Sequence, residues 1–223
     1  IIANPNCSTI IMLMALKPIY DISRIKRIIV STYQAVSGAG KDGIDELLDE
    51  AAAIAKGESY TPKILPSASL PKHYQIAYNV IPQIDVFLDN DYTKEEMKMV
   101  NETHKIFHDD TIAITPTAVR VPVIRSHAES IYIETEDHLT TDQVKKAIEG
   151  FKGAVLVDDI KNMIYPMPLD TSNKTDVAVG RIRKDLYAEN GINLWACGDQ
   201  IRKGAALNAL QIAEYMIQHD MIQ

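Results

Sequence analysis

Strand-like and helix-like segments follow one another irregularly along this chain of 223 residues, and their order restricts the fold. The β-branched segment 25–32 and the Val-, Ile- and Thr-rich segment 111–136 predict buried strands. Pro116 and Pro122 require breaks or edge positions within the second segment. Because no regular β–α–β repeat occurs, we predict an α+β domain with a mixed, largely antiparallel sheet and helices packed on it. Shorter strands are expected around 154–157, 176–184 and 192–196.

Two helices carry a clear signal in their first turn. Thr93 is followed by Glu96, and Thr140 by Gln143; these are capping boxes, which predict helices to about 107 and 150. Apolar side chains spaced three and four residues apart predict another helix over 42–56. The remaining predictions are a short helix over 8–17 that ends near Pro18, a final helix over 203–219 and a proline-rich loop over 59–71.

The composition argues against several classes of protein. Apolar residues make up 46% of the chain and charged residues 24%, so a sizeable core is possible. The formal net charge of −7 argues against a nucleic-acid partner or an anionic membrane, and an anionic substrate would need local cations. The longest apolar run, Ile10–Leu16, is too short to span a membrane, and no basic signal-peptide segment precedes it. Two cysteines offer no disulfide framework, which fits a reducing, cytoplasmic setting.

Cys7 lies where the first apolar helix is expected to begin. Pro5 and Asn6 form a turn that can present the thiol, and hydroxyl side chains follow it. Backbone N–H groups and the positive end of a helix favour the thiolate, so we expect the pKa of Cys7 to be lowered. A lone cysteine is more often a buried structural residue, but this sequence context favours a nucleophile.

Five segments, in the same order along the chain, resemble segments of aspartate-semialdehyde dehydrogenase. They cover nearly the whole chain and are 3–9, 33–40, 102–105, 120–127 and 202–208. The resemblance implies that residues 1–223 form the catalytic and dimerisation domain, with a fold like the C-terminal domain of glyceraldehyde-3-phosphate dehydrogenase. The chain starts on Ile1 without a Met, so we expect a fragment that lacks the family's N-terminal NADP-binding domain, on which the helix at about 203–219 would pack.

The resemblance also implies a reaction, the NADPH-dependent reductive dephosphorylation of L-aspartyl 4-phosphate to L-aspartate 4-semialdehyde. Cys7 would attack the acyl phosphate, expel phosphate and leave a thioester on the enzyme. His127 matches the family's acid/base histidine, which would take the thiol proton and later protonate the reduced intermediate. The pathway leads to lysine, threonine and methionine, and in bacteria to diaminopimelate.

Four further residues match substrate-binding positions of the family. Arg120 corresponds to the arginine that binds the α-carboxylate, and Gln34 to the glutamine that positions the substrate. Glu102 and Lys105 would meet the amino group and the phosphate, although their three-residue spacing alone predicts only a solvated salt pair on a helix.

The spacing of Arg120 and His127 needs a structural explanation. The two residues are seven apart, so on one straight strand their side chains would face opposite sides of the sheet. A bend near Pro122, or two separate strands, must bring them together.

The segment 38–43 matches the dinucleotide-binding pattern G-x-G-x-x-G after a predicted strand. Because no second parallel strand leads to an acidic residue near Glu58, we interpret the segment as a glycine-rich turn that shapes the active site. By resemblance, Ser37, Gly38 and Gln200 would lie at the cofactor end of the site.

Other interpretations remain open. N-acetyl-γ-glutamyl-phosphate reductase uses the same thioester chemistry, but its cysteine segment typically reads Gly-Cys-Tyr-Pro. Glyceraldehyde-3-phosphate dehydrogenase is a more remote relative, and a non-catalytic oligomerisation fragment is a different class. His104 and His108 lack the partners of a metal site, so no metal is expected. We expect a homodimer or homotetramer that is inactive, or nearly so, without the cofactor domain.

Overall fold

The computed structural model describes residues 1–221, which contain a six-stranded mixed sheet in the order β2–β1–β3–β6–β5–β4. The pairings of β1 with β3, β3 with β6 and β6 with β5 are antiparallel, whereas β2 and β4 join the sheet in parallel. This confirms the predicted α+β class. The strands are β1 Ile25–Gln34, β2 Ala113–Arg120, β3 His127–Thr135, β4 Ala154–Leu156, β5 Val177–Lys184 and β6 Gly191–Gly198.

The helices begin largely where the sequence predicts. Both capping boxes are formed, at Thr93 and at Thr140. The helices are α1 Cys7–Tyr20, α2 Lys41–Lys56, α3 Lys94–Phe107, α4 Thr141–Glu149, α5 Pro168–Thr171 and α6 Leu207–Gln218. Short 3₁₀-helices span Val36–Ala39 and Ile160–Asn162, and a π-helix spans Arg202–Ala206. Among residues 1–221, no helix combines the length and apolarity that crossing a membrane requires.

Two helix ends differ from the prediction. Pro18 does not end α1, because the helix continues to Tyr20 and buries Ile19 completely against the core. The final helix starts with the π-helix at Arg202 and becomes α-helical only at Leu207. Such wide turns often occur at functional sites, and this one contacts the start of α1.

Helix α1 forms the centre of the core, on one face of the sheet. It is apolar on nearly all sides and is therefore buried on nearly all sides. Each fully buried Ile or Leu side chain contributes roughly 1.5–3 kcal/mol relative to an exposed one. This packing fixes the first turn of α1, with Cys7, at the end of the sheet where β1 and β2 end and β3 begins. The same buried cluster contains Ile11 and Leu16 of α1 and the strand residues Ile28, Val30, Ile131, Ile133 and Leu194.

Pro116 lies in β2, which is an edge strand, as its missing N–H requires. The predicted loop 59–71 belongs to a longer irregular segment between α2 and α3. Two buried carboxylates of α2 hold this segment in place. Glu46 accepts hydrogen bonds from three consecutive backbone N–H groups, and Glu50 accepts from two. The segment can therefore contribute fixed side chains to the neighbouring cleft.

Candidate active site

Cys7 is the first residue of α1, and Asn6 caps the helix. The Asn6 Oδ1 atom accepts hydrogen bonds from the backbone N–H groups of the two residues after Cys7, at 3.0 and 3.2 Å. Asn6 is held in turn by α3, because its backbone N–H donates to Glu102 Oε2 and its Nδ2 to Glu95 Oε1, both at 2.8 Å. Helix α3 thus positions the turn that presents the thiol.

The thiol faces an imidazole. Cys7 Sγ lies 3.5 Å from Nε2 of His127, a fully buried residue at the start of β3. The other ring nitrogen, Nδ1, accepts a hydrogen bond from the backbone N–H of Ala35 at 3.0 Å. Gln34 Nε2 lies 3.5 Å from His127 Nε2 and donates to Glu95 Oε1 at 3.2 Å. The predicted residues Cys7, Gln34 and His127 therefore meet.

Arg120 and His127 lie on two different strands. Arg120 ends β2, His127 begins β3, and β1 runs between them. This is one of the two arrangements that their spacing required. A Cβ atom on Gly38 would lie 2.8 Å from Arg120 Nη1 and 3.4 Å from His127 Cε1. Both side chains close over Gly38, so only glycine fits there without displacing them.

The Arg120 guanidinium is buried, and some of its N–H groups donate hydrogen bonds to backbone carbonyls. Its Nη1 donates to Ala35 O at 2.8 Å, and its Nε and Nη2 donate to Pro66 O at 3.3 and 3.2 Å. A guanidinium has five N–H groups, so two are left for a ligand. Within residues 1–221, no carboxylate pairs with Arg120. Burial lowers its pKa to about 10, which leaves it cationic at neutral pH.

The prediction that the pKa of Cys7 is lowered is wrong for this structure. Burial and the negative charge of Glu95 raise the pKa of the thiol to about 12, and Arg120 offsets only part of this. Burial and the neighbouring Arg120 charge hold the pKa of His127 well below its usual value. The pair therefore consists of a neutral thiol and a neutral imidazole at pH 7.

A cleft of about 420 Å³ opens beside the thiol. Its lining carries charges of both signs, the Arg120 guanidinium and the carboxylates of Glu95 and Asp85. Lys98, one turn after Glu95 on α3, bridges these two carboxylates, with N···O distances of 3.2 Å to Glu95 and 3.5 Å to Asp85. The other lining residues are Cys7, Gln34, Gly38, Ala39, Ser67, Ala68, Ser69 and Ile84.

The structure does not bring the predicted pair Glu102 and Lys105 to this cleft. Glu102 holds the backbone of Asn6, and Lys105 is exposed outside the cleft. Glu95 and Lys98 have the same three-residue spacing seven residues earlier, about two turns along the helix. A repeat of the Glu-x-x-Lys spacing was the signal that could have pointed to the correct pair.

Ser37 and Gln200 are bonded to each other. The Gln200 Nε2 atom donates to Ser37 Oγ, and its Oε1 accepts from the backbone N–H of Ser126, the residue before His127, at 2.9 Å. In the π-helix, a Cβ on Gly204 would lie 3.1 Å from Cys7 Cβ. The segment after β6 thus supports the Cys7–His127 pair. With Gly38 closed in by Arg120, the three predicted cofactor residues do not form a nucleotide site by themselves.

Comparison with known proteins points to one family. The model of the family described as "Semialdehyde dehydrogenase, dimerisation domain" matches residues 16–203. Aspartate-semialdehyde dehydrogenase of Bacillus subtilis (strain 168) is 51% identical over 215 residues, which are 96% of this chain and 62% of that protein. The Aquifex aeolicus (strain VF5) protein of the same name is 48% identical over 222 residues, covering 100% of this chain and 64% of that protein. The chain thus spans less than two thirds of the length of these relatives.

A solved structure agrees with these matches. The crystal structure of aspartate semialdehyde dehydrogenase II complexed with ASA, from Vibrio cholerae, superposes with a TM-score of 0.88 at 49% identity. The superposition covers 97% of this chain and 62% of the other.

Proposed function

The chain belongs to the semialdehyde dehydrogenase dimerisation-domain family, and on this premise we propose that it supplies the catalytic site of an aspartate-semialdehyde dehydrogenase. The reaction would be the NADPH-dependent conversion of L-aspartyl 4-phosphate to L-aspartate 4-semialdehyde, on the route to lysine, threonine and methionine. The observation that supports this most strongly is the Cys7–His127 contact of 3.5 Å, beside a buried arginine that has no carboxylate partner among residues 1–221.

The charges of the cleft suit an amino-acid phosphate. We assign the α-carboxylate to Arg120, whose two remaining N–H groups can bind it from one side. Glu95 would accept the α-amino group, and Lys98 would bind the phosphate. These two replace Glu102 and Lys105 as candidates because Glu95 lines the cleft and Lys98 forms ion pairs with two residues of its lining, Glu95 and Asp85. Gln34 would hold the acyl group near the sulfur.

The reacting atoms belong to Cys7 and the substrate. A bond forms between Sγ and the acyl carbon, the bond from that carbon to the phosphate oxygen breaks, and a thioester remains. His127 lies where a proton can be transferred beside the sulfur. Bound NADPH would supply the two electrons that reduce the thioester. Because Ser37, Gly38 and Gln200 are engaged within the protein, we expect residues 1–223 alone to show little turnover.

The function is tested by steady-state kinetics on a full-length enzyme that contains this segment. We would follow NADPH formation from aspartate semialdehyde, NADP and phosphate. Cys7→Ala is expected to reduce kcat by at least roughly 10³-fold, since the covalent step is lost. N-acetyl-glutamate semialdehyde serves as the competing substrate. An enzyme that prefers it, or that is inactive with both, would contradict the proposal.

We also propose that the chain forms a homodimer, alone or within a homotetramer, as the family description suggests. The sheet face opposite α1 carries apolar side chains that the described chain leaves open to solvent. Ile29 is 42% exposed and Tyr33 38% exposed, and the Tyr33 ring lies 5.3 Å from that of Trp195. Sedimentation equilibrium should give at least twice the 24.8 kDa of one chain. Tyr33→Arg should shift the mass toward that of one chain; a wild-type monomer at micromolar concentration would refute the proposal.

A further inference from the structure

Glu129 is a buried carboxyl group that the proposed reaction does not use. Side chains alternate along β3, so Glu129 shares the α1 face of the sheet with His127 and Ile131. It is fully buried, and it pairs with Thr32 of β1 on one side and with Ala196 of β6 on the other. The carboxyl group therefore lies in the interior, between the middle of the sheet and α1.

Neither oxygen of the Glu129 carboxyl group has a hydrogen-bond partner among residues 1–221. None of the ion pairs formed by the described residues includes Glu129 either. The hydroxyl groups of Ser8 and Thr9, in the first turn of α1, are likewise buried without a partner in this part of the chain. The polar groups that the first turn of α1 buries beyond Cys7 are thus uncharged hydroxyls, and neither is a counter-ion for a carboxylate.

An ionised carboxylate in such surroundings costs far more free energy than a neutral acid, because it loses its hydration and gains neither a cation nor an N–H donor. Burial accordingly holds the pKa of Glu129 well above its usual value of 4.5, and no neighbouring charge offsets this effect. On this face β1 contributes only uncharged side chains. The titratable groups of the other adjoining elements are Cys7 on α1, Glu95 on α3, Arg120 on β2, His127 on β3 and Cys197 on β6.

We propose that Glu129 is an uncharged carboxylic acid at neutral pH, and that loss of its proton at alkaline pH weakens the packing of α1 on β3 and opposes the thiolate of Cys7. A negative charge on Glu129 raises the pKa of the Cys7 thiol, as the charge of Glu95 does. By keeping its proton, Glu129 leaves the thiol with one neighbouring carboxylate instead of two. The inference goes beyond the proposed reaction, because it concerns the protein without substrate and its tests need none.

The pKa of Glu129 is higher in the folded protein than in the unfolded chain, and this difference sets the direction of the pH effect. Below the usual value of 4.5 both states carry the proton, so Glu129 causes no change of stability with pH. As the pH rises above that value, only the unfolded chain loses the proton. The folded state therefore becomes progressively less stable, until Glu129 ionises in the folded protein as well.

The protonation state can be measured by NMR of the 223-residue chain with ¹³C in the glutamate side-chain carboxyl groups. The signal of Glu129 is assigned by its loss in Glu129→Gln, and the urea-unfolded chain supplies the reference shifts of the acid and of the carboxylate. We expect the shift of a neutral acid at about pH 7, well above the usual glutamate pKa. A carboxylate shift for Glu129 at that pH would overturn the proposal. If no glutamate of the wild-type chain shows the shift of a neutral acid, the proposal fails even without the variant.

Urea unfolding of the wild type and of Glu129→Gln tests the effect on stability. The substitution keeps the size of the side chain and removes the ionisable proton. Between about pH 5 and pH 7, the unfolding equilibrium constant of the wild type, divided by that of the variant, should rise roughly tenfold per pH unit. Glu149→Gln, at an exposed position at the end of α4, is the matched control and should show no such rise. A ratio for Glu129→Gln that does not change with pH would contradict the proposal.

The effect on the thiol is tested by iodoacetamide labelling of Cys7, read by mass spectrometry at about pH 7. Glu129→Gln should label within about twofold of the wild type, because one uncharged side chain replaces another. Glu95→Gln is the matched control and should label faster, since the charge of Glu95 raises the pKa of Cys7. An acceleration in Glu129→Gln as large as that in Glu95→Gln would show that Glu129 is ionised, and would overturn the proposal.

Discussion

The two halves of α3 carry the same Glu-x-x-Lys pattern in different surroundings. In the first half, Glu95 lines the cleft beside Cys7, and Lys98 forms an ion pair with it. Glu102, in the second half, holds the backbone of Asn6, while Lys105 is exposed. The pattern shows that two side chains share a helix face, but the position along the helix decides whether they reach a ligand. In α3 that position is set at its first turn, where Glu96 Oε1 accepts the backbone N–H of Ala118 in β2.

The largest difference between the halves is expected for the lysines. Lys98→Ala should lower kcat/KM of the full-length enzyme about 10- to 150-fold, since a hydrogen bond to a charged group contributes about 1.5–3 kcal/mol. Lys105→Ala, the matched control, should stay within about twofold. Equal losses in both variants, or a larger loss in Lys105→Ala, would show that the first half of α3 does not bind the phosphate.

The glutamates should differ in whether they affect the pKa of the thiol. The Glu95 charge raises the pKa of Cys7, so Glu95→Gln should lower that pKa and speed iodoacetamide labelling of Cys7 at pH 8, by up to tenfold per pKa unit. The kcat/KM of the full-length enzyme should nevertheless fall because KM rises, since the substrate amino group loses its partner. Glu102→Gln keeps an oxygen acceptor for the Asn6 N–H and should leave the labelling rate nearly unchanged. Slower labelling in Glu95→Gln would contradict the electrostatic account.

The smallest effect concerns the capping box that begins α3. Thr93→Ala removes the acceptor for the Glu96 N–H, and we expect a loss of about 1 kcal/mol in the free energy of unfolding, measured with urea. Thr140→Ala at the start of α4 is the control with an equivalent cap. Both should lose similar stability, but only Thr93→Ala should raise KM, because α3 contributes Glu95 to the cleft lining and α4 contributes no described residue to it. A raised KM in Thr140→Ala would show that the rise in KM does not depend on the position of α3.

The sequence was most informative where the local signals were strong. The capping boxes at Thr93 and Thr140 placed two helices correctly, and Pro116 indicated an edge position that the structure confirms. The spacing of Arg120 and His127 required two strands or a bend, and two strands are present. These properties depend on neighbouring residues in the chain, so a single sequence contains them.

The sequence was least informative where distant segments combine. The pKa of Cys7 was predicted in the wrong direction because the helix end is visible in the sequence, whereas burial and Glu95, 88 residues away, are not. Likewise, nothing near His127 in sequence indicates that the N–H of Ala35, 92 residues away, binds its ring. The contact between Ala35 and His127 arises only when β1 and β3 pair.

The central claim is that Cys7 forms a thioester with the substrate in this cleft. The most direct measurement is mass spectrometry of the chain after incubation with L-aspartyl 4-phosphate in the absence of NADPH, together with an assay of released phosphate. We predict an aspartyl adduct on Cys7 in the wild type and in Cys197→Ala, with one phosphate released per adduct, and none in Cys7→Ala. An adduct on Cys197, or phosphate release above the rate of spontaneous hydrolysis without an adduct on Cys7, would contradict the account.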